Sequence, residues 1–396
     1  MRIVLSSAGP RSEVFPMFAL AGELKKRGHT VTLCVPEKYR SKMMVLEHRM
    51  VTCGPALEEY LEGPRCGDVG GFVRALAAQT PTQFVAMRDS LREADALVSG
   101  GLMIAGASQA ELQHIPYFSV IQTPLLLDPE HFPCAGMPAK RSLFDTLRSR
   151  RKVWEEVLLG VINREREMSH MAPISNLHQY LYRTGHVLAA VDSTVAPLPP
   201  GSDETVTGFW YFDDGSFVTD ELTSFLNAGT APVLIEPLGL PEEKAVPFLE
   251  QLCASLSSAG IRAVVNPAWT GIQQARLPED CRSLSAFPTN RFAAILHPGT
   301  AQAFVAAACA GIPQVTVPSL VEHGYWSERI SELGVGPGGV ARLDPERIAA
   351  ALRDAATNTT WHERSRELGA KLAARNGASA AADVIEKSHR VVEHGF

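Results

Sequence analysis

Apolar positions along the chain alternate between two periods, and the alternation recurs. Near the start, the run Ile3 to Ser6 is followed beyond Pro16 by Met17, Leu20, Ala21 and Leu24 at helical i, i+3, i+4, i+7 spacing, then by Gly28 and the run Val31 to Val35. Past the midpoint, Val233 to Ile235 precedes Leu249, Leu252, Cys253 and Leu256 at similar helical spacing, then Gly260 and the run Ile261 to Val265. Short unbroken apolar runs predict strands buried on both faces, and the 3.6-residue period predicts helices. Each stretch is a strand–helix–Gly–strand unit of the kind that builds a parallel sheet covered by helices on both faces. Two such units, far apart, predict an α/β chain with two Rossmann-like halves.

The polar, Pro- and Gly-rich stretch from Ala196 to Glu204 lies at the centre of the chain and reads as an interdomain linker. In doubly wound sheets, ligands bind beyond the carboxyl ends of the strands. Two such sheets facing one another predict a cleft between the domains, a common place for small-molecule sites.

Length agrees, since 396 residues exceed one ordinary core. With 45% hydrophobic and 20% charged residues the balance is globular, and a net charge of −6 argues against nucleic acid or an anionic membrane as a partner. The opening apolar run is too short for a secretory segment, and no stretch approaches the ~18–20 apolar residues of a membrane span, so no stable membrane insertion is expected. Seven cysteines (34, 53, 66, 134, 253, 281, 309) are scattered without CxxC spacing, which predicts reduced thiols and a cytoplasmic setting. No cluster with metal-ligand spacing is present, so no metal is expected. The basic run 139–152 reads as a solvated face or a partner-binding patch, and Gly336-Pro337-Gly338-Gly339 as a connector.

Several segments, taken in order, resemble family 1 glycosyltransferases of actinobacterial natural-product pathways, those that act on glycopeptide and polyketide aglycones. The opening strand with Gly9-Pro10-Arg11-Ser12-Glu13-Val14-Phe15-Pro16 looks like that family's G-S-R-G-D-V-x-P loop, and Arg27-Gly28-His29-Thr30-Val31 like its next turn. Thr207-Gly208-Phe209-Trp210, Ala293 to His297, Ala310 to Gln314 and Leu333 to Gly336 match segments of its second half. The resemblance implies the GT-B fold, with two Rossmann-like domains whose parallel sheets face an interdomain cleft. It assigns residues 1–196 to an acceptor-binding domain, 197–207 to the linker and 208–396 to a donor-binding domain, whose last helix is able to pack back on the first.

Site residues follow from the same resemblance. The family's diphosphate loop, H-H-G-[GS]-A-G-T at a helix N-terminus, falls on His297, Pro298, Gly299, Thr300, Ala301, Gln302 and Ala303. Free N–H groups and the helix dipole favour anions there. Pro298 replaces the second histidine and brings neither imidazole nor backbone N–H. Glu322 and His323 stand where the family has Asp-Gln reading sugar hydroxyls, and Glu236-Pro237-Leu238-Gly239 where it has G-F-G-S, so that Glu236 is expected to repel a diphosphate. The donor set is therefore His297, Gly299, Thr300, Gln302, Glu322 and His323, with a satisfied strand-end histidine as the alternative for His297 and a polar loop before the helix of Tyr325 and Trp326 as the alternative for Glu322 and His323. The family's candidate base falls on Glu13, one methylene longer than Asp, with a solvated loop carboxylate or a salt-bridge partner for Arg11 as the alternatives. Arg11, Phe118, Gln122, Thr123 and Phe132, with the 55–80 region, are expected on the acceptor side.

The implied activity is inverting transfer of a sugar from a nucleotide-activated donor to a small hydrophobic acceptor, with no cofactor beyond the nucleotide sugar. Two alternatives stand beside it: a GT-B protein using these groups for other acid–base chemistry, and a non-catalytic auxiliary protein. A homodimer or a pathway-enzyme partner is left open.

Overall fold

The computed structural model describes residues 1–61, 65, 68–127, 141–199, 203–212, 219–340 and 343–393, without the side chains of 45, 141–154 and 389–393. Phe132, Cys66 and Cys134, together with part of the basic run and of the 55–80 region, lie outside the described residues or side chains.

Two parallel sheets organise the chain. The first contains β1 (Arg2–Ser7), β2 (Thr30–Val35), β3 (Arg49–Thr52), β4 (Ala96–Gly100), β5 (Tyr117–Ile121), β6 (His186–Ala189) and β7 (Thr205–Val206), in the order β3-β2-β1-β4-β5-β6-β7. The second contains β8 (Val233–Ile235), β9 (Ala263–Val265), β10 (Cys281–Ser283), β11 (Ala294–His297), β12 (Gln314–Thr316) and β13 (Gly338–Gly339), in the order β10-β9-β8-β11-β12-β13. Each sheet therefore winds outward in both directions from its own first strand. The switch points fall between β1 and β4 and between β8 and β11, and at such points a doubly wound sheet opens a crevice for ligands. Gly338 and Gly339, expected in a connector, instead pair with Val315 and Thr316 as an edge strand. Thr205 and Val206, within the segment 197–207 expected as the linker, pair with Leu188 and Ala189.

The repeated Gly has the same job in both halves. Gly28 has φ +84° and Gly260 φ +70°, the left-handed region open to a residue without Cβ. In the first, the N–H of His29 reaches back to Leu24 O at 3.0 Å; in the second, that of Ile261 reaches Leu256 O at 2.9 Å. Both helices are thus closed by their last carbonyls, and the chain turns directly into the next strand.

The helix Arg11–Lys26 buries Met17, Leu20, Ala21 and Leu24 against the first sheet. The last helix, Gly377–Glu393, returns to this same face and adds Ala381, Ala382 and Ile385 to the cluster. Arg27 ties the two together by donating to Asp383 at 2.6 Å and to Ser379 Oγ at 2.6 Å, while His29 Nε2 lies 2.7 Å from Glu386. Among the described residues no helix is long and apolar enough to cross a membrane.

Candidate functional site

A cleft of about 540 Å³ opens where the carboxyl ends of the two sheets meet. The first half contributes Arg11, Ser12 and Phe15 from the start of a helix, with Glu58 and Glu59; the second contributes the turns after β8, β9 and β11. Lys38 pairs with Glu58, and Arg65 lies 3.6 Å from Glu59. The remaining charged pair in the lining, Arg11 and Glu236, comes from opposite halves.

Arg11 sits with its guanidinium 4.5 Å from the Phe15 ring centre and 6.0 Å from that of Phe287. Glu236 follows β8 directly, and its Oε2 accepts from Asn266 Nδ2 at 2.8 Å. Burial pushes its carboxyl up to about 7, against the opposing pull of Arg11 and of the Asn266 amide. Trp269, stacked on Phe248 with ring centres 6.0 Å apart, also lines the cleft, and its buried indole N–H meets no acceptor among the described residues.

The turn after β11 is built around His297. This residue is fully buried; its Nδ1 accepts from Gly299 N at 3.2 Å and its Nε2 faces Gln314 Oε1 at 3.0 Å. Those contacts fix a neutral ring protonated on Nε2, and burial holds its pKa down to about 4 although Gln314 opposes the shift. Gly299 adopts φ +101°. Thr300 then caps the helix Ala301–Ala310, its Oγ1 accepting from Ala303 N at 3.2 Å. Pro298, Thr300 and Gln302 all face the cleft, and Gln302 Nε2 is a buried donor with no partner among the described residues.

His297 and His323 both lie behind the surface of the cleft. His323 is buried, with Nδ1 3.1 Å from Ser319 Oγ, and burial, with nearby His297 adding, lowers its pKa to about 3. Neither ring lines the cleft; together they shape the wall behind it. Phe118 is corrected, because it is wholly buried on β5 and stacks on His186 with ring centres 5.4 Å apart. An uninterrupted apolar strand does not reveal which of its side chains reaches the open end.

Glu13 lies at the switch point of the first sheet. Its Oε2 accepts from Leu102 N at 3.2 Å, and its backbone carbonyl accepts from Gln122 Nε2 at 3.2 Å. The side chain occupies space that Gly9 and Gly101 leave open: a Cβ on Gly101 would lie 1.9 Å from Glu13 Oε2. Thr123 is buried just after β5. Glu322 belongs to the first turn of the helix Val321–Leu333 in the second half. The buried Tyr182 phenol is pushed up by desolvation, with Glu13, Tyr117 and Glu322 reinforcing the shift, so carboxylates of both halves act on one hydroxyl. Sequence reading missed Asn266, Trp269 and Phe287 in the cleft. Asn266 and Trp269 follow β9, and treating the end of every strand as a site position would have found both.

Comparison with known proteins agrees with this geometry. Residues 253–387 match the family described as Erythromycin biosynthesis protein CIII-like, C-terminal domain. Over 97% of both chains the protein is 26% identical to vancomycin aglycone glucosyltransferase of Amycolatopsis orientalis. It is 28% identical to O-mycaminosyltylonolide 6-deoxyallosyltransferase of Streptomyces fradiae, over 98% of this chain and 97% of that one. Among solved structures, glycosyltransferase VinC in complex with dTDP superposes with a TM-score of 0.70 at 18% identity, covering 98% of this chain and all of the other. The fold is therefore GT-B. The chain is related, from end to end, to the glycosyltransferases of actinobacterial natural-product biosynthesis.

Proposed function

We propose that this protein transfers a sugar from a nucleoside diphosphate donor to a small hydrophobic natural-product acceptor, inverting the anomeric carbon. The observation that carries this reading is the capped start of the Ala301–Ala310 helix, which faces a donor-lined cleft at the switch point of the second sheet. A helix N-terminus offers unpaired N–H groups and a positive dipole end, which suit a diphosphate. The relatives named above are glycosyltransferases, and VinC holds dTDP. On this reading residues 1–196 bind the acceptor and 208–396 the donor, with 197–207 between them.

Thr300, Gly299 and Gln302 hold the diphosphate, with His297 and His323 positioning that loop from behind, and Glu322 meets the sugar. Arg11, Gln122 and Thr123 border the acceptor. Glu13, at the start of its helix and within electrostatic reach of the same phenol as Glu322, takes the proton from the attacking hydroxyl. Such base catalysis contributes ~10²–10⁴-fold. Pro298 withholds one N–H from the phosphates, which costs about 1.5–3 kcal/mol. That substitution favours a second reading, a relative that no longer uses nucleotide sugars. Release of nucleoside diphosphate from UDP- and dTDP-sugars in the presence of hydrophobic phenolic or macrolide acceptors separates the two. Turnover abolished by Glu13→Gln supports the transferase, and absence of any turnover with intact fold supports the second reading.

A further inference from the structure

The cleft contains a carboxyl at the place where a diphosphate would be held. Glu236 directly follows β8, its backbone N–H donates to Leu296 O of neighbouring β11 at 2.9 Å, and Leu296 is followed by His297 and the phosphate-type loop. Asn266 engages Oε2 at 2.8 Å, whereas Oε1 accepts no hydrogen bond among the described residues. The surrounding wall is rich in donors: Arg11 from the opposite half, the indole N–H of Trp269 and the amide of Gln302, the last two without acceptors among the described residues. Such a surface is completed by an acceptor-rich anion. An ionised carboxylate in its midst would oppose that anion; a protonated one would add a further donor.

We propose that Glu236, carrying its proton, donates a hydrogen bond to the diphosphate of the donor substrate and thereby compensates for the N–H that Pro298 lacks. The proposal rests on the nucleotide-sugar reading of the cleft. Of the charged groups around Glu236, Arg11 favours the ionised form, and desolvation outweighs that pull. Arg11 faces it from the first helix, Glu58 and Glu59 of the opposite wall are paired with Lys38 and Arg65, and His297 and His323 behind it are held neutral by burial. Desolvation raises the half-buried Glu236 carboxyl to about 7, so both forms are populated near neutrality and an arriving anion selects the protonated one. During transfer, the acceptor oxygen bonds to the anomeric carbon as the bond from that carbon to the terminal phosphate oxygen breaks. The electron pair leaves with the diphosphate and the acceptor's proton passes to Glu13. Glu236 keeps its own proton while its hydrogen bond to the departing group strengthens.

Calorimetric titration with dTDP and UDP tests this in wild type and Glu236→Gln. The glutamine keeps a donor at every pH, and ionisation of the nucleotide is common to both proteins. At about pH 8 the variant binds about tenfold more tightly than wild type, and at about pH 6 the two bind alike. A ratio that does not change with pH overturns the proposal. Wild type alone gives a second readout, because titration in buffers of different ionisation enthalpy reports proton uptake on binding. Uptake at about pH 8 by wild type supports the proposal, and binding without uptake overturns it. If neither protein binds a nucleotide at any pH, the nucleotide-sugar reading fails and the role of Glu236 fails with it.

Discussion

Gly299 packs directly against His323: a Cβ built on the glycine lies 2.8 Å from the histidine's carbonyl oxygen. With φ at +101°, the backbone there also disfavours any side chain. Gly299→Ala therefore combines a strained φ with a steric conflict against helix backbone. It is expected to cost ~1–3 kcal/mol in urea denaturation, and to weaken nucleotide binding because the loop before Thr300 must shift. Unchanged stability and affinity would show that the Gly299 loop does not need this geometry.

The buried histidines set a direction for pH dependence. Both His297 and His323 have folded pKa values below the ordinary 6.5, about 4 and about 3, so the unfolded chain binds more protons through that window. Stability from this source is complete above about pH 6.5 and is lost as pH falls toward the folded values. For His297 alone the loss amounts to ~3 kcal/mol by the time pH reaches its folded value. Replacing His297 by Gln is expected to flatten the urea-midpoint profile between about pH 6.5 and 4. An unchanged slope would mean that the ring is accessible to protons in the folded state.

The return of the last helix depends on Arg27, whose guanidinium reaches Asp383, Glu386 and Ser379. Arg27→Ala removes these bonds and is expected to loosen the docking of this helix, with only a small loss of global stability because Asp383 is solvent-exposed. Hydrogen exchange should accelerate first in Gly377–Glu393, while the amides of β8 and β11 stay protected. Equal acceleration in both halves would contradict the view that this helix is held mainly by Arg27.

Much of the architecture was legible because it is encoded locally. The helical spacing from Met17 to Leu24 and from Leu249 to Leu256, with Gly28 and Gly260 to close each helix, identifies both sheet-building units without reference to distant residues. The linear motif also located Thr300, whose capping hydroxyl acts within three residues. Roles set by distant partners were not legible. For His297 the sequence supports a ligand contact and a satisfied strand-end histidine equally, because Gln314, which engages its ring, lies on the next strand. The environment of Glu236 is not legible locally, because it comes from Asn266 and from Arg11, a residue in the other half of the chain. The resemblance aligned Glu13 with the family's acid, but the space it occupies is made by Gly101, far along the sequence.

Glu13→Gln separates chemistry from binding. The amide oxygen can still accept from Leu102 N, so the fold and the first-helix start should persist, but no proton can be taken. Turnover is expected to fall roughly 10²–10⁴-fold with nucleotide affinity unchanged. Retention of full turnover would remove Glu13 from the role of base.

The most direct test of the account is isothermal titration of the purified protein with UDP, dTDP and GDP. The GT-B cleft, with its capped helix and donor-lined wall, predicts that one of these binds with a dissociation constant below about 1 mM, and that the base preference identifies the donor. Failure of all three to bind a folded protein would contradict nucleotide-sugar transfer and leave the cleft to a different ligand.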